Sequence, residues 1–365
     1  MRLEHARGFW TCEVRLWTAM STQAGTSDLE IPYNLWTMRR NRKLRWLILV
    51  LGFYAAVCVV GGIYLADGTL HPGRRELSDD EIEGARDAVR AMHAQLSDVS
   101  IRATDGVLLR GWLLRPAHAN GDAALLLHGL GDNRLGMGGY APLLLAHGFA
   151  VLLPDARGHG ASGGKLVTYG LVERNDIRQW VEFLSAETHA HCVDGMGESM
   201  GAAELLESLA VGARFCAVVA ESGFASFREI AYDRMGQPFG LGPWVGRTVL
   251  RPLVEIAFVR ARWRYRLNME QVSPEDAVAE TPVPVLLIHG AIDSNIPVRH
   301  SRAMHAVAPQ TVLWVVPGAH HCGAMSVAPA EFERRVLEWF RENPNSITTE
   351  DTKVQEGKAD ALTAP

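Results

Sequence analysis

Gly197-Glu198-Ser199-Met200-Gly201 sets one hydroxyl between two glycines, each two residues away. A serine hydroxyl becomes a nucleophile when its backbone aims it outward and a neighbouring base takes its proton. The apolar run Cys192–Met196 and the helix-compatible segment Ala202–Ala210 flank it. Together they predict a strand, a sharp turn at Ser199 and a helix. Side chains at 197 and 201 would crowd such a turn, which accounts for the glycines. The helix N-terminus would direct free N–H groups at developing negative charge.

A base and an orienting acid must then come from elsewhere. The run Val283–Ile288 leads into His289-Gly290-Ala291-Ile292-Asp293, and Val312–Val316 leads into Pro317-Gly318-Ala319-His320-His321-Cys322-Gly323. Asp293 is the expected acid and one of His320 and His321 the expected base; neighbouring imidazoles point apart, so only one meets Ser199. Glu221, after the run Cys216–Ala220, competes for the acid role. The expected oxyanion donors are the Met200 N–H and, from His128-Gly129-Leu130-Gly131-Asp132-Asn133, the Leu130 N–H. His159 in Arg157-Gly158-His159-Gly160 is read as structural.

The elements that must position these groups alternate. Strand-like runs lie at Ala123–Leu127, Phe149–Leu153, Cys192–Met196, Cys216–Ala220, Val283–Ile288 and Val312–Val316. Helical segments stand at about Ala141–His147, Glu173–Ala186, Ala202–Ala210 and Pro329–Arg341. Continuous apolar runs separated by helices predict an α/β fold with a mostly parallel sheet buried on both faces. Asp105-Gly106 marks a hairpin at its start. From about 224 to 280 the alternation breaks, and a segment with Phe224, Phe227, Phe239, Trp244, Trp263 and Tyr265 predicts a small helical lid. Ser78 and Glu81 read as a capping box opening a helix to about Leu96.

Upstream, Trp46–Ala66 carries no charge over 21 residues, about 31 Å as a helix and enough to span a bilayer. Arg39, Arg40, Arg42, Lys43 and Arg45 precede it, which predicts a cytoplasmic N-terminus and an extracytoplasmic domain. A cleaved signal peptide is the rival, disfavoured by Tyr64 where a small residue is needed. The expected organisation is a cytoplasmic segment 1–45, a transmembrane helix 46–66, a linker helix 67–97, the α/β domain 98–342 and a disordered tail 343–365. Translation from Met38 is expected, with 1–37 an artefact of start assignment. A net charge of −5 offers nucleic acid no general attraction. Of five cysteines, Cys12 falls in the leader, Cys58 in the apolar run, and Cys192 and Cys216 near neighbouring strand starts. A disulfide between that pair is weighed, but two small buried thiols are expected.

HGLGDNR (His128–Arg134), PDARGHGASGG (Pro154–Gly164), TYGLVERND (Thr168–Asp176), GESMGA (Gly197–Ala202), HGAIDSNIP (His289–Pro297) and GAHHCGA (Gly318–Ala324) resemble the α/β-hydrolase superfamily. They are similar in particular to its bacterial serine aminopeptidase S33-like and YqkD-like branch. The resemblance covers about two thirds of the chain and implies the α/β-hydrolase fold. It selects His321 over His320, because the histidine of that branch stands two residues before a glycine-alanine or similar pair. It implies that Tyr169-Gly170, Glu173 and Asp176 shape the region over the nucleophile, and it leaves Glu198 and Glu221 as conceivable holders of a substrate amine, with a structural role preferred.

The expected activity is that of a membrane-anchored serine hydrolase cleaving an ester, thioester or amide through Ser199, His321 and Asp293, with no metal or organic cofactor. Its substrate would be a small-molecule, lipid or peptide acyl compound. The alternatives are a catalytically silent scaffold binding a partner at the membrane, and an acyltransferase using the same residues.

Overall fold

The computed structural model describes residues 42–237, 240 and 242–343. The expected start at Met38, Cys12, Arg39, Arg40, Phe239 and the tail after Asn343 lie outside them. The chain divides into two compact units, Met1–Ala55 and Ala56–Pro365. The described part of the first, 42–55, is wholly helical and belongs to helix α1, Arg42–Leu70. Among the described residues, α1 is the one helix long and apolar enough to cross a membrane.

Helix α2, Asp79–Ala91, opens on the anticipated capping box: Ser78 Oγ accepts from the Glu81 N–H, and the Glu81 carboxylate accepts from the Ser78 N–H. It ends short of Leu96. The chain turns at His93, with φ 56°, and enters strand β1, Gln95–Arg102, whose eight residues pair antiparallel with β2, Leu108–Arg115. That ladder claims residues which local propensity would have left to the helix.

The remaining strands are β3 (Ala123–Leu127), β4 (Ala150–Pro154), β5 (Val193–Glu198), β6 (Val218–Glu221), β7 (Val285–Gly290) and β8 (Val312–Val316). They form one sheet in the order β1-β2-β4-β3-β5-β6-β7-β8. The β1–β2 and β2–β4 pairs are antiparallel, and every pair from β4 to β8 is parallel. Alternate residues feed opposite cores: Leu125 and Leu127 pack with Trp180, Leu184 and Leu205, whereas Ala124 and Leu126 pack with Leu144, Phe332 and Phe340. Burial on both faces is why β3, β4 and β7 read as apolar runs.

Covering helices are α3 (Ala141–Ala146), α4 (Glu173–Thr188) and α5 (Met200–Leu209). The β6–β7 connection holds α6 (Phe227–Gly236), α7 (Trp244–Arg247), α8 (Arg251–Arg260), a π turn at Ala261–Tyr265 and α9 (Pro274–Glu280). Then follow α10 (Arg299–Val307), α11 (Ala324–Val327) and α12 (Pro329–Glu342). The pattern of apolar runs does not announce α10, yet parallel neighbours β7 and β8 require a crossover of that length.

One expectation is corrected. Cys192 and Cys216 form a disulfide, with Cα atoms 5.7 Å apart. Parallel pairing of β5 with β6 starts both strands side by side, and the Cys216 N–H donates to the Val193 carbonyl. The end of the apolar run packs against the β6–β7 connection. An added Cβ on Gly61 would lie 2.7 Å from Leu253 Cδ1, and one on Gly62 2.7 Å from Ile256 Cγ2, so α1 and α8 touch through these two glycines. Asp67 pairs with Arg260 and accepts from the Tyr265 hydroxyl at 2.8 Å. The Leu70 carbonyl accepts from Val167 N–H, and the Thr69 carbonyl from the Tyr169 hydroxyl.

Candidate active site

Ser199 stands between β5 and α5 with φ 54° and ψ −114°, a left-handed conformation that costs a non-glycine residue of order 1–3 kcal/mol. The strain is held by packing. A Cβ on Gly201 would collide with the Leu127 and His128 carbonyls, and one on Gly197 with the Gly201 carbonyl. Any larger residue at either position would push α5 off the sheet.

The hydroxyl points at His321. Its Oγ lies 2.9 Å from His321 Nε2, and His321 Nδ1 lies 2.8 Å from Asp293 Oδ2. The neighbouring His320 is exposed. Asp293 is fixed by its own loop, with Oδ1 accepting from the Asn295 N–H at 2.8 Å and the Ile296 N–H at 2.9 Å. Burial disfavours its charge, but hydrogen bonds from His289 and His321 and the His321 charge outweigh that and hold the carboxyl below the ordinary range. Asp293 therefore stays ionised beside the imidazole, able to fix its tautomer and to stabilise its cation.

The acid and histidine loops are bound to each other. Ile292 N–H donates to the Ala319 carbonyl, and Ala291 N–H to the Val316 carbonyl. A side chain on Gly290 would strike the Ala319 and His320 carbonyls. Glu221, the competing acid, makes no contact with His321 of this kind. Its Oε1 accepts from the Ala324 N–H at 3.0 Å, and its Oε2 lies 3.2 Å from the Tyr140 hydroxyl. The next residue, Ser222, accepts the Cys322 N–H at 3.2 Å through its Oγ. Glu221 and Ser222 thus brace the loop that carries His321. Nothing in the local sequence marks Ser222 for this, since its partner lies a hundred residues on. Glu198 reaches the same Tyr140 hydroxyl at 3.3 Å. Burial first, then the Glu221 charge, pushes its carboxyl up to about 7.

The Met200 N–H opens α5, and the Leu130 N–H stands in the loop after β3; neither has an acceptor among the described residues. Gly129 brings that loop against the nucleophile, its ideal Cβ position being 3.5 Å from Ser199 Cβ. Two histidines support the loop. His128 Nε2 accepts from the Ala156 N–H at 3.0 Å, and His159 Nε2 accepts from the Gly131 N–H at 3.1 Å. An imidazole nitrogen accepting from an N–H must be unprotonated, and burial pushes both groups down, His128 to about 4. Around the site, Glu173 accepts from the Thr168 and Gly170 N–H groups, and Asp176 pairs with Arg157 at 2.8 Å. Tyr169 of this loop lines the cavity in front of Ser199.

That cavity is about 680 Å³. Ser199, His321, Gly129 and Leu130 line it together with Phe224, Phe227, Val254 and Phe258 of the β6–β7 connection. The arrangement combines an outward hydroxyl, a hydrogen-bonded imidazole, a buried carboxylate and two unpartnered N–H donors beside an apolar chamber. Chemically it suits attack on a carbonyl carbon with stabilisation of the resulting oxyanion.

A family model described as the alpha/beta hydrolase family matches residues 124–335. The uncharacterized protein YqkD of Bacillus subtilis (strain 168) is 31% identical over 253 residues, spanning 67% of this chain and 78% of its own. YfhR of Escherichia coli (strain K12), also uncharacterized, is 29% identical over 237 residues, 62% of this chain and 74% of its own. Among solved structures, the Pyrococcus furiosus esterase Pf2001 superposes with a TM-score of 0.58 at 24% identity, covering 75% of this chain and 100% of its own.

Proposed function

The chain belongs to the alpha/beta hydrolase family, and from that premise we propose that it is a membrane-anchored serine hydrolase. The observation that carries the reading is the unbroken series Ser199 Oγ, His321 Nε2, His321 Nδ1, Asp293 Oδ2, with both links under 3 Å. His321 takes the hydroxyl proton as Oγ attacks the acyl carbon, and the oxyanion is met by the Leu130 and Met200 N–H groups. Collapse breaks the bond to the leaving oxygen, sulfur or nitrogen, which receives the proton from His321. Water then attacks the acyl-serine by the same route in reverse order, releasing a carboxylic acid.

The anchor in this proposal is α1, with its N-terminus in the cytoplasm and the catalytic domain outside. The basic residues before the apolar run support that orientation. So does the Cys192–Cys216 disulfide, since such bonds persist outside a reducing cytoplasm. A reporter active only outside the cytoplasm, fused after Phe340, should be active; activity of an inside-only reporter would overturn the topology.

Labelling by a fluorophosphonate, which traps an activated serine, tests the chemistry. Wild-type protein should be labelled and should hydrolyse a short acyl ester, and Ser199→Ala should do neither while unfolding at the same temperature. Labelling of the alanine variant would sink the assignment, and failure of both activities in the wild type would favour a silent scaffold.

A further inference from the structure

The last turns of α1 form part of the cavity wall in front of Ser199. Leu65, Ala66, Gly68 and Leu70 line it together with Ser199 and His321, across from Val254 and Phe258. Contacts between α1 and α8 advance in the same direction along both helices: Gly61 with Leu253, Gly62 with Ile256, Asp67 with Arg260. The two helices therefore run parallel. Gly61 lies five residues inside the end of the apolar run at Ala66, about 8 Å along the helix axis. The N-terminal end of α8 thus sits below the level at which α1 turns polar.

Trp244 (60% exposed) and Val249 precede the start of α8, where the exposed Arg251 reaches Glu255. After its end, where Tyr265 meets Asp67 and His71, stand the exposed Arg262, Trp263, Arg264 and Arg266. Arginines with a tryptophan at the shallower level suit the headgroup region of a bilayer.

We propose that the substrate is a long-chain acyl ester or thioester resident in the membrane that α1 enters, its chain lying in the cavity walled by the C-terminal parts of α1 and α8 and its carbonyl at Ser199. This rests on Ser199 as nucleophile. The chain moves sideways from the bilayer into an apolar cavity without crossing water, and the helix that anchors the protein also measures its substrate. Attack by Ser199 Oγ breaks the acyl C–O or C–S bond, the alcohol or thiol leaves with the proton from His321, and water releases the fatty acid.

The test uses full-length protein and 4-nitrophenyl esters from acetate to decanoate. Wild-type kcat/KM should rise about fourfold per added methylene, the value of burying one in an apolar site. An added Cβ on Gly68 meets nothing within 4 Å, so Gly68→Trp has room to fold and to fill the cavity. It should lower the decanoate-to-acetate ratio by at least about fifteenfold, the equivalent of two methylenes. Gly84→Trp on α2, where a Cβ also meets nothing, should leave the ratio unchanged. For the membrane route, 4-methylumbelliferyl oleate is supplied in dioleoyl-phosphatidylcholine vesicles carrying the protein and, separately, in detergent. Trp244→Asp should lower the vesicle-to-detergent ratio of rates severalfold. Acetate hydrolysis with a flat chain-length profile, or an unchanged ratio in Gly68→Trp, would overturn the long-chain substrate while leaving the serine hydrolase standing. An unchanged ratio in Trp244→Asp would overturn entry from the bilayer. No hydrolysis of any ester together with no fluorophosphonate labelling would overturn the nucleophile itself, and this inference with it.

Discussion

Replacing Asp293 by asparagine probes the proposed relay at its least obvious link. In the native loop, Asp293 Oδ1 accepts two backbone N–H groups, from Asn295 at 2.8 Å and Ile296 at 2.9 Å, leaving Oδ2 for His321 Nδ1. An asparagine has one acceptor oxygen, and those two donors hold it at the Oδ1 position. Its NH2 then faces His321 Nδ1, which must accept rather than donate. The imidazole proton is forced onto Nε2, the atom 2.9 Å from Ser199 Oγ, where the base has to be unprotonated. Fixing the wrong tautomer with the geometry intact costs about 10⁴-fold in kcat, or roughly 5.5 kcal/mol of transition-state stabilisation. Glu221→Gln is the contrast. Glu221 holds the Ala324 N–H and lies near the Tyr140 hydroxyl, so its loss loosens the histidine loop without changing a tautomer, and the expected fall is far smaller. Short-chain ester hydrolysis and fluorophosphonate labelling rates read both variants, with circular dichroism and thermal unfolding confirming the fold. Equal losses in the two variants, or more than about a tenth of wild-type activity in Asp293→Asn, would refute the reasoning.

The other expectations can be checked together. His321→Ala should cost at least ~10⁴-fold in kcat/KM, and the exposed His320 far less when changed to alanine; kinetics in which His320→Ala is the more damaging would move the base. Deleting residues 1–66 removes the partners of Leu253 and Ile256 and part of the cavity wall. Baring one such side chain costs about 2 kcal/mol, so this truncation should unfold earlier and hydrolyse more slowly than one ending at Ala55, as thermal scans and kinetics would show. Asp194, buried in β5, has its carboxyl pushed up to about 8 by desolvation, against the opposing Ala217 N–H. Between about pH 4 and pH 8 the unfolded chain has released a proton that the native state keeps, so stability falls as pH rises. Asp194→Asn should remove about 1.4 kcal/mol per pH unit of that slope, measured by urea unfolding at pH 5 and pH 7; identical slopes in both proteins would show that the group ionises normally.

Sequence by itself went far wherever the deciding physics is local or periodic. Unbroken apolar runs marked β3, β4 and β7 because a doubly covered parallel strand must be apolar on both faces. The glycines at 197 and 201 marked Ser199 because only they tolerate the carbonyls packed against them. The capping box at Ser78 and Glu81 was legible for the same reason, since its two hydrogen bonds join residues three apart. The order of Ser199, Asp293 and the histidine pair followed from which loops leave strand ends.

Tertiary structure decided what depends on partners distant in the chain. The end of α2 was set by a β1–β2 ladder that local pattern does not contain, and the pairing of Cys192 with Cys216 by the lateral start of two strands. Glu221 became a brace of the histidine loop because Ala324, 103 residues away, presents its N–H there. Most consequentially, the apolar run read as a bare anchor carries Gly61 and Gly62, whose missing side chains admit Leu253 and Ile256. A glycine inside a hydrophobic run shows that something approaches closely, but not what; only the folded lid, nearly two hundred residues downstream, turns the end of that helix into a wall of the cavity beside Ser199.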